Sequence, residues 1–173
     1  GGAMKRIRLA PLQLAAISGI LGGLCWLPTG LAPLFPLSFI PVLLALRQVT
    51  TPKKAILLGL VYGATRYAVS SHFLLALLEY SPLAITFYLL AICYILPFAV
   101  LESWGAFTLH RRFGLPRSIG FAALFMLGEK LRTFGDLSFP ADLLSNGLGA
   151  TPLWTGWTAF AGPFAATFWV IVV

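Results

Sequence analysis

Apolar residues run along this chain in long blocks broken by short polar interruptions, without the alternation of a half-buried strand. Leu9 to Leu27 is the first block, ending at the turn signal Pro28-Thr29-Gly30. Leu31 to Leu46 is a second, interrupted by Pro33, Pro36 and Pro41, so an irregular start and a kinked or partial helix are expected. Ala55 to Leu78 is a third, closed by Glu79-Tyr80-Ser81-Pro82. Leu83 to Leu109 is a fourth, with Pro97 as an expected kink. Ile119 to Arg132 is a fifth, charged at its far end. A polar stretch containing Gly and Pro runs from Thr133 to Thr158, and Ala159 to Val173 forms the last block. A helix crosses the hydrocarbon core with about 20 apolar residues, fewer where it is re-entrant. The pattern therefore predicts an all-α bundle of about six membrane segments, in one domain over residues 4–173.

Composition agrees. Hydrophobic residues make up 59% of the 173 residues and charged residues only 10%. A soluble surface needs nearer a quarter charged, so lipid must cover much of this chain.

The net charge of +7 is a topology signal more than a nucleic-acid footprint. Lys5, Arg6 and Arg8 precede the first block, Arg47, Lys53 and Lys54 follow the second, and Arg111, Arg112 and Arg117 follow the fourth. Nine of the twelve basic residues thus fall in alternate connections, the positive-inside pattern. The N-terminus and the 47–54 and 110–117 connections are expected in the cytoplasm, and residues 28–30, 79–82 and 133–158 on the opposite face. Trp154 and Trp157 in the longest loop suit a headgroup region.

Small residues at four-residue spacing let helices approach closely in a bilayer. Ala15, Gly19 and Gly23 form one such series, Gly59 and Gly63 another. Cys25 and Cys93 lie in apolar blocks without metal-ligand spacing, and both are expected to be buried small residues. No metal or cofactor site is expected.

Ionisable groups inside the membrane carry the functional interest. Arg66, Glu102, Glu129 and Arg132 fall within or beside apolar blocks. At 1.5 Å per residue, Arg66 and Glu129 stand ~18 Å and ~17 Å above the cytoplasmic ends of their helices, and Glu102 ~12 Å. An Arg66–Glu129 ion pair is therefore predicted, with Glu102 as the second candidate partner. Such a pair either joins helices or serves a substrate directly. His72 is read as an interfacial hydrogen bonder, and Glu79 and Asp142 as solvated loop acids.

Glu129-Lys130-Leu131-Arg132 followed by Phe139-Pro140 resembles the E-x-L-R…G-F-P-W segment of apolipoprotein N-acyltransferases. Pro36 to Leu46 is similar to that family's second helix, Gly59 to Tyr80 to its third, and Asn146 to Gly162 to the approach to its sixth. The resemblance covers the membrane-embedded N-terminal part of the family. It implies a multi-pass protein of the bacterial inner membrane. The implied activity is transfer of an acyl chain from phospholipid to the N-terminal cysteine amine of diacylglyceryl lipoproteins. Implied partners are membrane phospholipids, the lipoprotein substrate and a separate catalytic domain; nucleic acid is not one. Phe139, Pro140 and the 133–158 loop would sit beneath that domain. Ala141 stands where the family has Trp, and the nitrilase-like domain with its Glu–Lys–Cys triad has no counterpart in these residues. No catalytic residue is carried over, and the chain alone is expected to be inactive. Gly1-Gly2-Ala3 reads as the scar of a cleaved tag, and the short last block as one that continues beyond Val173. Two rival readings stand beside this one: a stand-alone membrane scaffold that recruits a partner, and a small transporter using Arg66 and Glu129 as a coupling pair.

Overall fold

The computed structural model describes residues 10–27, 30–134, 144 and 162–172. Every regular element among them is helical, in the order α1 (Pro11–Trp26), α2 (Phe35–Gln48), α3 (Pro52–Ser70), α4 (Ala84–Phe113), α5 (Arg117–Leu131) and α6 (Pro163–Val172). A 3-10 turn at Ala32–Leu34 leads into α2, and a longer 3-10 run at Ser71–Glu79 follows α3.

Prolines set the starts. Pro11, Pro36 and Pro52 each lie in the first two helical positions, where a missing N–H costs nothing. Thr51 caps α3 through its hydroxyl, which accepts the Lys54 N–H. Gly114 ends α4 in the left-handed region (φ 69°), its N–H donated to the His110 carbonyl. Internal prolines break nothing: Pro41 and Pro97 both sit inside continuous helices.

The third apolar block is where the sequence misleads. Helix α3 stops at Ser70, and the remaining residues to Glu79 tighten into 3-10 geometry. The Ser71 N–H is shared between the Tyr67 and Val69 carbonyls, and the His72 Nδ1–H takes Val69 as well. Competition of this kind for backbone carbonyls favours the tighter helix.

Helix α3 is flanked by α1 and α4, α4 packs on α5, and α5 on α6. Helix α2 packs on α1 and reaches back to α5 and α6, closing the circuit. Glycines make the tight crossings. A Cβ on Gly19 would lie 2.6 Å from the Tyr62 carbonyl oxygen, and one on Gly23 2.8 Å from that of Arg66. A Cβ on Gly59 would meet the Ala99 carbonyl oxygen at 2.6 Å, and one on Gly63 the Ala99 Cβ at 2.6 Å. The two glycine series thus serve the α1–α3 and α3–α4 crossings, as their spacing predicts.

One end of the bundle gathers the cationic connections. The start of α1, the end of α2 and the start of α3 line one cavity there. The end of α2, the end of α4 and the start of α5 line another. Helix α4 is long and apolar enough to cross a membrane. Helices α1, α2 and α6 are apolar but shorter.

Candidate functional site: a buried cluster of four charges

Arg66, Glu102, Glu129 and Arg132 come from three helices and meet inside the bundle, none more than 2% exposed. Helix geometry explains the convergence. Glu129 and Arg132 are three residues apart at the end of α5, so both face inward. Glu102 faces them from the middle of α4, and Arg66 from the last turns of α3.

Aromatic rings surround the guanidinium of Arg66. Its Cζ lies 4.9 Å from the Phe125 ring centroid and 5.6 Å from those of Phe39 and Tyr67. Its Nη1 donates to the Tyr62 hydroxyl, one turn back, at 2.8 Å. The Arg132 guanidinium lies 5.9 Å from the rings of Tyr67 and Phe98. Tyr67 is therefore shared by both cations. Ring faces stabilise a desolvated guanidinium by up to about 2 kcal/mol each.

The two carboxylates differ. Glu129 accepts the Leu144 N–H on one oxygen and the Thr167 hydroxyl on the other, at 2.7 Å. It ties α5 to α6 and to the backbone at Leu144. Glu102 presses Oε1 against Gly128, where an added Cβ would stand 3.4 Å away. Its Oε2 is buried, with no hydrogen-bond partner among the described residues. Both arginines act electrostatically on both carboxylates, Arg132 ahead of Arg66. Two arginines and two glutamates balance in formal charge, which suits a low-dielectric interior.

The cluster is sealed on the α1 side. A Cβ on Gly22 would reach 3.7 Å from Arg66 Nη1 and 3.5 Å from Ser38 Oγ. Ser18 donates to the Ser38 carbonyl, which fixes α1 against α2 beside this point. Chemically, the cluster holds four helices in register; its groups are shielded from anything diffusing outside.

The structure thus brings together all four predicted membrane charges. Sequence reasoning missed Tyr62, Tyr67, Phe125 and Thr167. Tyr62 carried a signal, being four residues before Arg66; Thr167 carried none, lying 38 residues from its partner. Phe139, Pro140, Ala141, Asp142, Trp154 and Trp157 lie outside the described residues. His72 and Glu79 are exposed. Cys25 is buried, but Cys93 is exposed, against expectation. It stands on the outer face of α4 with Leu89, Leu90 and Pro97, where apolar character reflects outward exposure instead of burial. Among the described residues no group of three or more His, Cys, Asp or Glu side chains could hold a metal ion.

No curated protein matches the chain. A family model, that of the apolipoprotein N-acyltransferase N-terminal domain, matches residues 18–173, which include all four buried charges and Thr167. The chain belongs to the family of apolipoprotein N-acyltransferase N-terminal domains.

Proposed function

We propose that this chain is the multi-pass membrane part of an inner-membrane N-acyltransferase, anchoring the enzyme and giving lipid access to it. In the reaction, an acyl group leaves a phospholipid ester and forms an amide with the N-terminal cysteine amine of a diacylglyceryl lipoprotein. Phospholipid, lipoprotein and a nitrilase-like catalytic domain are the partners in this reading. The basic end of the bundle faces the cytoplasm, and the α5–α6 connection faces the catalytic domain.

The observation that supports it is the inverted distribution of polarity. Charges occupy the interior, while Leu37 is 56% exposed, Phe87 58% and Leu90 59%. A bilayer accommodates such a surface; water does not. The cysteines do not offer the activated nucleophile that acyl transfer needs. Cys25 is buried beside the α1–α3 crossing, and Cys93 sits on an apolar outer face.

Mass spectrometry on a diacylated lipopeptide, incubated with phospholipid and the purified chain, tests this. No triacylated product is expected from the chain alone, and product is expected once a nitrilase-like domain of the family is joined to it. Product from the chain alone would overturn the division of labour, since a nucleophile would have to lie within these residues.

A further inference from the structure

The basic end carries a second polar feature, remote from the buried charges. A cavity of about 320 Å3 opens there, lined by Leu43, Arg47, His110, Pro116, Arg117 and Ser118. Three of these six side chains are basic or can become so, one is a hydroxyl, and none is a carboxylate. Arg117 is fixed in the wall: its Nη1 donates to the Leu46 and Val49 carbonyls, and its guanidinium lies 5.6 Å from the Phe107 ring. His110 is also oriented, since Nδ1 meets the Leu115 carbonyl at 3.0 Å. A carbonyl only accepts, so Nδ1 carries the hydrogen there. Arg47 is exposed at the last turn of α2.

Leu43 belongs to this cavity and also to a second, of about 130 Å3, lined by Pro36, Leu37, Ile40, Leu43, Ile171 and Val172. The two therefore share Leu43 as a wall. Pro36, Ile40, Leu43 and Arg47 follow one another at helical spacing, so a single face of α2 runs from apolar groove to cationic mouth. Eleven residues separate its ends, ~16 Å of helix, a length comparable with much of one acyl chain. Helix α6 supplies the opposite apolar wall through Ile171 and Val172.

We propose that these neighbouring cavities together bind one anionic phospholipid of the leaflet at the basic end. Its phosphate lies among Arg47, His110, Arg117 and Ser118, and one acyl chain lies along Leu43 and Ile40 between α2 and α6. Charge complementarity selects the occupant: a neutral surfactant tail fills the groove but leaves the cations unmatched, and free phosphate matches the cations but leaves the groove empty. Basic pockets between membrane helices commonly take acidic headgroups. The inference rests on the membrane reading above but not on acyl transfer, because its cationic mouth lies at the start of α5, remote from the buried charges at the end of that helix.

The test uses the whole chain in phosphatidylcholine nanodiscs carrying a trace of spin-labelled phosphatidylglycerol or, separately, spin-labelled phosphatidylcholine. An immobilised component is expected for phosphatidylglycerol in excess of that for phosphatidylcholine. Arg47→Gln should weaken that preference roughly fivefold, in line with one surface cation, and His110→Gln should weaken it less. Ile40→Trp, which fills the groove, should displace the immobilised phosphatidylglycerol, whereas Arg112→Gln, outside the cavity, should change nothing. Arg117→Gln is avoided because that side chain also holds the end of α2. An unchanged preference in both Arg47→Gln and His110→Gln would overturn the proposal. So would displacement of the labelled lipid by inorganic phosphate, which would assign the cavity to a free anion. Loss of immobilisation only together with a change in oligomeric state would assign the groove to a second copy of the chain. Failure of the lipopeptide assay alone would leave this result standing, so the two readings fail separately.

Discussion

Glu129 bonds to Thr167 on α6 and to the backbone at Leu144 while lying in the field of two arginines. Replacing it by Ala would leave two buried guanidiniums facing one carboxylate. Breaking a buried pair in this way costs about 3–5 kcal/mol. Thr167→Val removes one hydrogen bond to a charged group and should cost about 1.5–3 kcal/mol. Thermal unfolding in detergent should rank Glu129→Ala below Thr167→Val; the reverse order would show that Glu129 is not held as a charged hub. At this scale the sequence was informative about which residues matter and less so about what they touch. Arg66, Glu102, Glu129 and Arg132 stood out because an ionisable group in an apolar block has few destinations other than the interior. Their aromatic surroundings did not stand out, since Phe39, Tyr67 and Phe125 look like any apolar residue in a membrane block.

At the scale of elements, the glycines separate into those that meet backbone and those that meet a flexible side chain. A Cβ on Gly59 would strike the Ala99 carbonyl oxygen at 2.6 Å, and neither helix can yield without opening the α3–α4 crossing. A Cβ on Gly105 would strike only the Leu124 Cδ1, at 2.4 Å, which a rotamer change relieves. Gly59→Ala should therefore destabilise by about 1–3 kcal/mol, and Gly105→Ala by clearly less, in the same unfolding assay. Equal losses would mean that the crossing relaxes. Periodic small residues made these contacts legible in advance. The change from α to 3-10 after Ser70 was not, because it depends on which carbonyl each N–H reaches, and hydropathy is blind to that. Leu144 took its importance from Glu129, 15 positions away in sequence, and no local pattern announced it.

For the whole molecule, orientation is the property that links fold to function. Helix α4 has 30 residues, ~45 Å at standard rise, against about 30 Å of hydrocarbon, so in a bilayer its ends would project beyond the lipid core. Phe113 and Tyr80, 75% and 85% exposed, mark opposite ends of the connection through α4. In a Cys93→Ser background, Phe113→Cys should react with a membrane-impermeant maleimide only in inverted vesicles, and Tyr80→Cys only in intact spheroplasts. Labelling of both from one side would refute the orientation drawn from Arg47, Lys53, Lys54, Arg111 and Arg112. The expected orientation rests on the placement of cations, because insertion responds to them directly. The closed circuit of helices was not legible, since the return of α2 to α5 and α6 joins elements far apart in the sequence, over a hundred positions in the case of α6.

The inverted distribution of polarity also dictates how this chain can vary. In a protein surrounded by water, exchange of one surface residue for another of opposite polarity is usually harmless, and the interior tolerates only apolar replacements. Here the outward positions on α4, such as Leu89 and Leu90, can drift among Leu, Ile, Val and Phe with little effect yet refuse Asp or Lys. The interior positions 66, 102, 129 and 132 refuse the single apolar replacement that would be safest elsewhere, because each removal leaves an opposite charge stranded. Compensated double changes are the only inexpensive route through that cluster. Its four charges are thus expected to be gained and lost in balanced sets over evolutionary time.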